Sequence, residues 1–168
     1  MTLWTSPNSQ AKNPYAKHEE SALNAQVISV TGRQGPPVEG AMGNVVDLTS
    51  LSEFASGNQS GQWVEVDFKD HRIRPDYYTI QSHHHGLGYA HVKSWVIEVS
   101  NDCNYWREID KEENNHQHNK PYGLMSFPFE CDEFYQRIRV RQIGPSHQGD
   151  DILCMSAFEV FGRIDPPI

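Results

Sequence analysis

The segment HHHGLGYAH, residues 83–91, contains four of the nine histidines of this 168-residue chain. Imidazoles bind zinc, change charge between pH 5 and 8, and offer hydrogen bonds to bound molecules. A zinc site needs three or four ligands at tetrahedral distances, and three successive histidines in a glycine-containing loop are not expected to meet at one ion without strain. His83 and His85 with His91 or His147 are the alternative, but we expect no metal and no other cofactor.

The segment GPSHQGDD, residues 144–151, is a second candidate site. Histidine and glutamine both donate and accept hydrogen bonds, and the two glycines of the segment would let backbone amides approach a ligand. The candidate contacts here are Ser146, His147, Gln148 and Asp150. An equally weighted interpretation is conformational, because Asp150 or Asp151 could cap backbone amides and shape the turn.

Catalysis is not expected from these residues. His147 beside Asp150, or His71 beside Asp70, provides an acid and base only as sequence neighbours. Such neighbours in a loop rarely hold the geometry that a nucleophile and its base require, and the sequence has no nucleophile elbow, phosphate loop or HExxH motif. We therefore predict no catalytic residues and no enzyme activity.

The charge balance excludes several classes of partner. With 14 Lys and Arg against 22 Asp and Glu, the formal net charge is −8, which disfavours nucleic acid and anionic membranes as partners. No apolar run approaches the roughly 20 residues of a transmembrane helix, and the first residues lack the order of a secretory signal. Three cysteines without CxxC spacing suit a reducing compartment. We expect a soluble, cytoplasmic protein, and its oligomeric state stays open.

The elements that must hold these loops have the two-residue period of β-strands. In QWVEVDF, Val64, Val66 and Phe68 alternate with Glu65 and Asp67. Similar short runs are QVISV, YYTIQS, SWVIEVSND, YWREID, LMSFPFE, FYQRIRVRQI and ILCMSAFEVFG. None has a sustained helical period, so the sequence predicts an all-β, two-sheet antiparallel jelly roll.

Some strand residues carry more specific expectations. Arg137, Arg139 and Arg141 alternate with apolar residues and form a ladder on one sheet face, where pairing with carboxylates at a solvated surface is favoured over an anion-binding strip. Pro128 indicates an edge strand or a bulge. The strand tryptophans, Trp63, Trp95 and Trp106, are expected in the core.

In their order, these motifs carry a family resemblance over roughly residues 26–162. QWVEVDF, SWVIEVSND followed by a tryptophan, and the closing FEVFG resemble the discoidin-like or coagulation factor 5/8 type C family of the galactose-binding-like superfamily. Within that family the chain is most similar to the intracellular branch found beside BTB and kelch modules, and to the Doc domain. The resemblance implies an eight-stranded jelly roll that binds ligands, without catalysis, through loops at one end. Residues 1–25 would form an N-terminal arm or tail, and residues 163–168 a C-terminal tail.

The sequence departs from the family pattern at two places. Extracellular members often hold calcium with a carboxylate in the last strand, where this chain has Ala157, although Asp47 matches another acidic ligand. Calcium needs several oxygen ligands, so none is expected. The exposed apolar spikes of membrane-binding relatives are replaced by loops rich in His, Asn, Gly and Gln.

The leading hypothesis is a non-catalytic module that binds a protein or peptide partner through its loop end. The alternative is carbohydrate binding, with Tyr89 as a stacking face and His83, His85 and Arg33 as hydroxyl contacts. The resemblance places HHHGLGYAH near TGRQGPPVEGAMGN and IGPSHQGDD. The expected ligand contacts are Arg33, His83, His85, Tyr89, His91, Ser146, His147, Gln148 and Asp150.

Two further expectations concern the histidines. His116 and His118 are expected to be solvated residues of a long connection. If histidines contact the ligand, its affinity should fall between about pH 7 and pH 5 as the imidazoles gain charge.

Overall fold

The computed structural model describes residues 54–166 and the backbone of residues 29–32. These residues form ten β-strands and no α-helix: β1 Ser29–Gly32, β2 Phe54–Ala55, β3 Trp63–Asp67, β4 Arg72–Gln81, β5 Trp95–Ser100, β6 Arg107–Glu112, β7 Leu124–Pro128, β8 Arg137–Gln142, β9 Cys154–Met155 and β10 Ala157–Asp165. Within this part of the chain, no helix has the length and apolar character needed to cross a bilayer. The predicted arm at residues 1–25, Arg33 and Asp47 lie outside the described residues.

The strands form two principal antiparallel sheets. One has five strands in the order β1-β3-β8-β5-β6, and the other has three in the order β10-β4-β7. The short strands β2 and β9 pair separately. The predicted all-β sandwich is therefore confirmed, and each predicted run that lies among the described residues contributes a strand.

The core lies between the two sheets. Trp95, Ile97 and Val99 of β5 are buried there with Tyr78 of β4 and Phe158 of β10. Burying an apolar side chain of this size contributes about 1.5–3 kcal/mol. All six residues of β5 are buried, including the outward-facing ones, so this strand has lower exposure than its alternating sequence predicts.

One polar connection runs through this core. The Trp95 indole N–H donates to the Tyr78 hydroxyl at 3.0 Å, and that hydroxyl donates to Asp110 Oδ2 at 2.6 Å. Burial is the main reason that the pKa of Asp110 is raised, while the bond from Tyr78 opposes that shift. The connection joins β4 of the small sheet to β5 and β6 of the large sheet.

The outer face of the large sheet carries the predicted arginine ladder. Arg137 bonds Glu65 at 2.8 Å, and Arg139 and Arg141 both bond Glu98, at 2.8 and 2.9 Å. The side chain of Glu98 is 9% exposed, so its pairs are much less solvated than expected. Arg137 also pairs with Asp67 at 3.1 Å, so three carboxylates offset the three arginines, and the anion-binding alternative is not supported.

Two of the three strand tryptophans also belong to this outer face. The Arg139 guanidinium lies 4.7 Å from the ring centre of Trp63 and 3.8 Å from that of Trp106. Only Trp95 of the three is in the core. The core prediction is therefore wrong for the other two, because an arginine beside an indole can stabilise it at the surface.

The sheet borders give two further outcomes. Pro128 ends β7, which is an edge strand, as its missing backbone N–H predicts. β10 continues to Asp165, past the expected domain end at residue 162, and Ile164 in this extension is buried in the core. The predicted C-terminal tail is thus partly a strand, paired with the start of β4.

We predict that Tyr78→Phe lowers the free energy of unfolding by about 2–3 kcal/mol, because it leaves the Trp95 N–H and the Asp110 carboxylate without their buried partner. Tyr105→Phe is the matched control, since Tyr105 is 71% exposed, and it should change stability by no more than about 0.5 kcal/mol. Urea denaturation measures both. Equal effects of the two changes would contradict a stabilising role for the connection.

Candidate functional site

Three loops gather at one end of the sandwich: residues 82–94, 113–123 and 143–153. The strand registers require this, because Trp95 at the start of β5 lies opposite Glu112 and Gln142, the last residues of β6 and β8. At the same end, Gln81 of β4 lies opposite Leu124 of β7. We refer to these three segments together as the loop end.

Backbone hydrogen bonds join the three loops. The Tyr122 amide donates to the His83 carbonyl at 3.0 Å, and the His147 amide donates to the His91 carbonyl at 3.0 Å. The predicted proximity of HHHGLGYAH and IGPSHQGDD is therefore confirmed. Most of TGRQGPPVEGAMGN lies outside the described residues.

Two of the predicted contact histidines are buried in this framework. His83 is 1% exposed and stacks on His91, itself fully buried, with ring centres 4.5 Å apart. His83 Nδ1 accepts the His85 amide at 3.0 Å, and His91 Nε2 lies 2.8 Å from the Gly86 carbonyl. These hydrogen bonds hold the loop in a folded-back conformation. Because both rings are buried, the prediction that His83 and His91 contact the ligand is corrected.

Burial also keeps these rings neutral. It is the largest reason that the pKa of His83 is lowered to about 3, with His91, His85 and His84 adding repulsion. Burial likewise lowers the pKa of His91 and of His147. The expected loss of affinity between pH 7 and pH 5 therefore has no basis in His83, and the lowered pKa values of His91 and His147 weaken it for those two rings.

The tip of loop 82–94 presents an aromatic face. The rings of Tyr89 and His85 stack with centres 4.4 Å apart and planes 10° apart, and Tyr89 is 48% exposed. Leu87 beside them is 78% exposed. The Gly88 amide donates to Asn119 Oδ1 at 2.8 Å, which attaches the tip to loop 113–123.

More apolar surface lies around this tip than the sequence indicated. Among the described residues, the exposed large apolar or aromatic side chains are Leu87, Tyr89, Tyr105, Tyr122, Leu124 and Ile143. Leu87, Tyr89, Tyr122 and Ile143 belong to the loop end, and Leu124 is the first residue of β7, directly after loop 113–123. Leu124 and Ile143 were missed because their alternating runs assigned them to strands, although exposure at the strand boundaries leaves them open to a ligand.

The GPSHQGDD segment is held mainly by its own hydrogen bonds. Asp150 accepts bonds from the Ser146 hydroxyl at 2.8 Å, from the Gln148 amide group at 2.7 Å and from the Ile152 backbone at 3.2 Å. Ser146 is buried. The conformational interpretation of this loop fits these bonds, while Gln148 on the surface and half-buried His147 are still accessible.

The acid and base pairs suggested by sequence adjacency are not assembled in the described structure. His147 Nε2 lies 3.1 Å from the Asn115 carbonyl, while the Ser146 hydroxyl donates to Asp150. His71 Nδ1 lies 2.8 Å from the Pro166 carbonyl. These rings therefore contact backbone oxygens and not a carboxylate that could orient a base.

A separate cleft of about 530 Å³ lies at the opposite end of the sandwich. Its lining residues are Arg74, Asp76, Arg107, Phe129, Glu130, Cys131, Asp132 and Arg163. Three arginines face three carboxylates there, so the cleft selects neither sign of ligand charge. It contains none of the residues of the loop end.

Among the histidines, His118 differs most from its expected position as a solvated residue of a long connection. It is 0% exposed, its Nε2 lies 2.9 Å from the Ile80 carbonyl, and its ring meets Trp95 edge to face at 5.5 Å. Burial, opposed by the Ile80 bond, is the main reason that its pKa is lowered to about 4; His91, Lys120 and His147 add repulsion. The expectation of a solvated His118 is wrong, whereas His116 is exposed.

We predict that His118→Gln reduces the acid sensitivity of folding. Below about pH 6.5 the unfolded chain protonates His118 while the native state does not until about pH 4, so wild-type stability falls with pH in this window. Between pH 7 and pH 5 the wild type should lose about 2 kcal/mol more than the variant, whose amide can still donate to the Ile80 carbonyl. Urea denaturation at both pH values measures this, and identical losses would contradict it.

No protein-family model matches this chain. Solved structures do share its fold. A module named CBM32-5 from Clostridium perfringens, in complex with GalNAc-β-1,3-galactose, has a TM-score of 0.64 at 14% identity and covers 82% of this chain and 96% of its own. The family 32 carbohydrate-binding module of C. perfringens NanJ, in complex with galactose, has a TM-score of 0.61 at 10% identity, with coverages of 81% and 94%.

A chitosan-binding module from a Paenibacillus chitosanase/glucanase is similar to the same degree. Its TM-score is 0.61 at 17% identity, and the match covers 81% of this chain and 96% of the module. At such identities the likeness establishes the fold alone, an antiparallel β-sandwich like the one that the discoidin resemblance implies. The nearer resemblance to the intracellular branch stays a prediction.

Proposed function

We propose that this chain is a non-catalytic carbohydrate-binding module that holds a sugar at its loop end. The observation that carries this proposal is the Tyr89 ring, which is backed on one face by His85 and half exposed. A sugar presents a flat apolar face of C–H groups, and an aromatic ring fixed in position stacks on it with little loss of conformational freedom.

The surroundings of this ring supply the polar groups that a sugar also needs. Exposed His84 is in the same loop, and exposed Gln148 lies on the adjacent loop 143–153. Asn119 and Lys120 lie on loop 113–123, which is hydrogen bonded to the tip of loop 82–94. Hydroxyl groups of a ligand can pair with such donors and acceptors while its ring rests on Tyr89.

The fold comparisons favour a carbohydrate ligand over a protein or peptide partner. Two of the similar modules are solved in complex with galactose or GalNAc-β-1,3-galactose, and a third is solved with 4,5-unsaturated mannuronic acid. The carbohydrate alternative of the sequence analysis therefore becomes the main proposal, and the protein or peptide partner becomes the second outcome of its test.

We predict that Tyr89→Ala weakens glycan binding by about 5- to 150-fold, taking for the sugar the roughly 1–3 kcal/mol that stacking of a base on an aromatic ring is worth. Tyr105→Ala is the matched control, since it removes an exposed tyrosine at the opposite end. The probes are galactose, GalNAc-β-1,3-galactose and chitosan oligosaccharides, and NMR titration of labelled amides measures both affinity and location.

Shifts confined to loops 82–94, 113–123 and 143–153 would support the proposal. Binding that Tyr89→Ala leaves intact would overturn the assignment of the stacking face. A silent response to every glycan on a broad array, with a protein captured by the wild type and not by Tyr89→Ala, would favour the protein-partner hypothesis at the same surface.

A further inference from the structure

The ring nitrogens of the three consecutive histidines, residues 83–85, lie closer together than an extended strand would allow, because neighbouring side chains of a strand point to opposite faces. One ring nitrogen from each lies within 4.8 Å of the other two. The ring centres of His84 and His85 are 4.0 Å apart, and those of His83 and His85 are 4.7 Å apart. We call these three residues the histidine triad.

A local turn produces this convergence. The His85 backbone amide donates to His83 Nδ1, which curls the chain immediately after β4. In an extended strand, neighbouring side chains point to opposite faces. The chain is curled and not extended at this point, so the three successive histidines lie much nearer to a shared ion position than the sequence argument expected.

Inner His83 carries an unsatisfied polar atom. Its Nε2 is buried and has no hydrogen-bond partner, although the residue is 1% exposed. Buried polar atoms are almost always paired, and an unpaired one in a native structure calls for an explanation such as an absent ion.

From this geometry we propose that the histidine triad binds a divalent transition metal of the zinc class. All three donors are imidazole nitrogens, which suit Zn²⁺, Ni²⁺ or Cu²⁺, whereas Ca²⁺ and Mg²⁺ require oxygen ligands. Three protein ligands leave a fourth tetrahedral position open to water. The proposed ligands are imidazoles, whereas the calcium position that the family resemblance concerns uses carboxylates, and metal binding does not depend on glycan binding.

Metal binding requires a small rearrangement. Nitrogens bound to one tetrahedral Zn²⁺ lie about 3.3 Å apart, so the rings close by about 1.5 Å at most from their present separation. Because Nδ1 of His83 accepts the His85 amide, its ring proton is on Nε2, and coordination through Nε2 moves that proton to Nδ1 and releases the amide. Gly86 and Gly88 lie just after the triad, and a Cβ at either position would meet no other atom within 4 Å. The loop therefore has space for this rearrangement.

The test uses the whole chain purified without a histidine tag and stripped with a chelator. Zn²⁺ alone is titrated by calorimetry into the wild type, His84→Asn, His85→Asn and the control His116→Asn, which removes an exposed histidine outside the triad. We expect one ion per chain, at least tenfold weaker binding in both triad variants and unchanged binding in the control. Metal-free thermal unfolding establishes that each variant is folded.

A second measurement separates a folded site from the general affinity of a histidine run. An ion that binds the native state better than the unfolded chain raises the melting temperature, by about 5 °C or more at roughly 100-fold excess over Kd. Three histidines in an unstructured stretch would bind both states and give little shift. No rise in the wild type, or an equal loss of binding in His116→Asn, would overturn the proposal.

Discussion

The Tyr78 hydroxyl is the interaction on which the arrangement of the sandwich depends. It accepts the Trp95 N–H and donates to Asp110, so a single buried group connects both sheets at fixed distance. A polar connection within an apolar core tolerates little sliding, because any displacement leaves buried groups unpaired. Since Tyr78 is on β4 and Trp95 begins β5, this connection also fixes both strands that hold the loop with the histidine triad.

Ion pairs on the outer face stabilise the arrangement of strands in the large sheet. Glu98 of β5 receives two arginines from β8, and Trp63 and Trp106 pack against Arg139. These contacts nearly bury ion pairs that would contribute little at an open surface. They fix β8 against β5, and β8 leads directly into loop 143–153. The ladder that first suggested an anion site is therefore part of the framework of the loop end.

The loop end itself is built on uncharged histidines. His83, His91 and His118 are buried, and each places a ring nitrogen on a backbone group. This leaves the outer surface to Tyr89 and Leu87, which a ligand can reach. The short segment therefore uses its histidines in two ways: His83 and His91 shape the loop, and His83 also belongs to the proposed metal site with His84 and His85.

The family resemblance implied that the loops meet at one end of the molecule, and the missing backbone N–H of Pro128 predicted an edge strand or a bulge. Alternation of apolar and polar residues was enough to predict the all-β class and the principal strands. These properties follow from the two-residue period of a strand, which is local. Burial is not local, because it depends on what other segments lie above a side chain. Only the tertiary structure therefore distinguished buried His83, His91 and His118 from accessible Tyr89, assigned Trp63 and Trp106 to the outer face, and brought three consecutive imidazoles together. The sequence by itself determined the sandwich and its candidate loops; packing decided which of their side chains a ligand can touch.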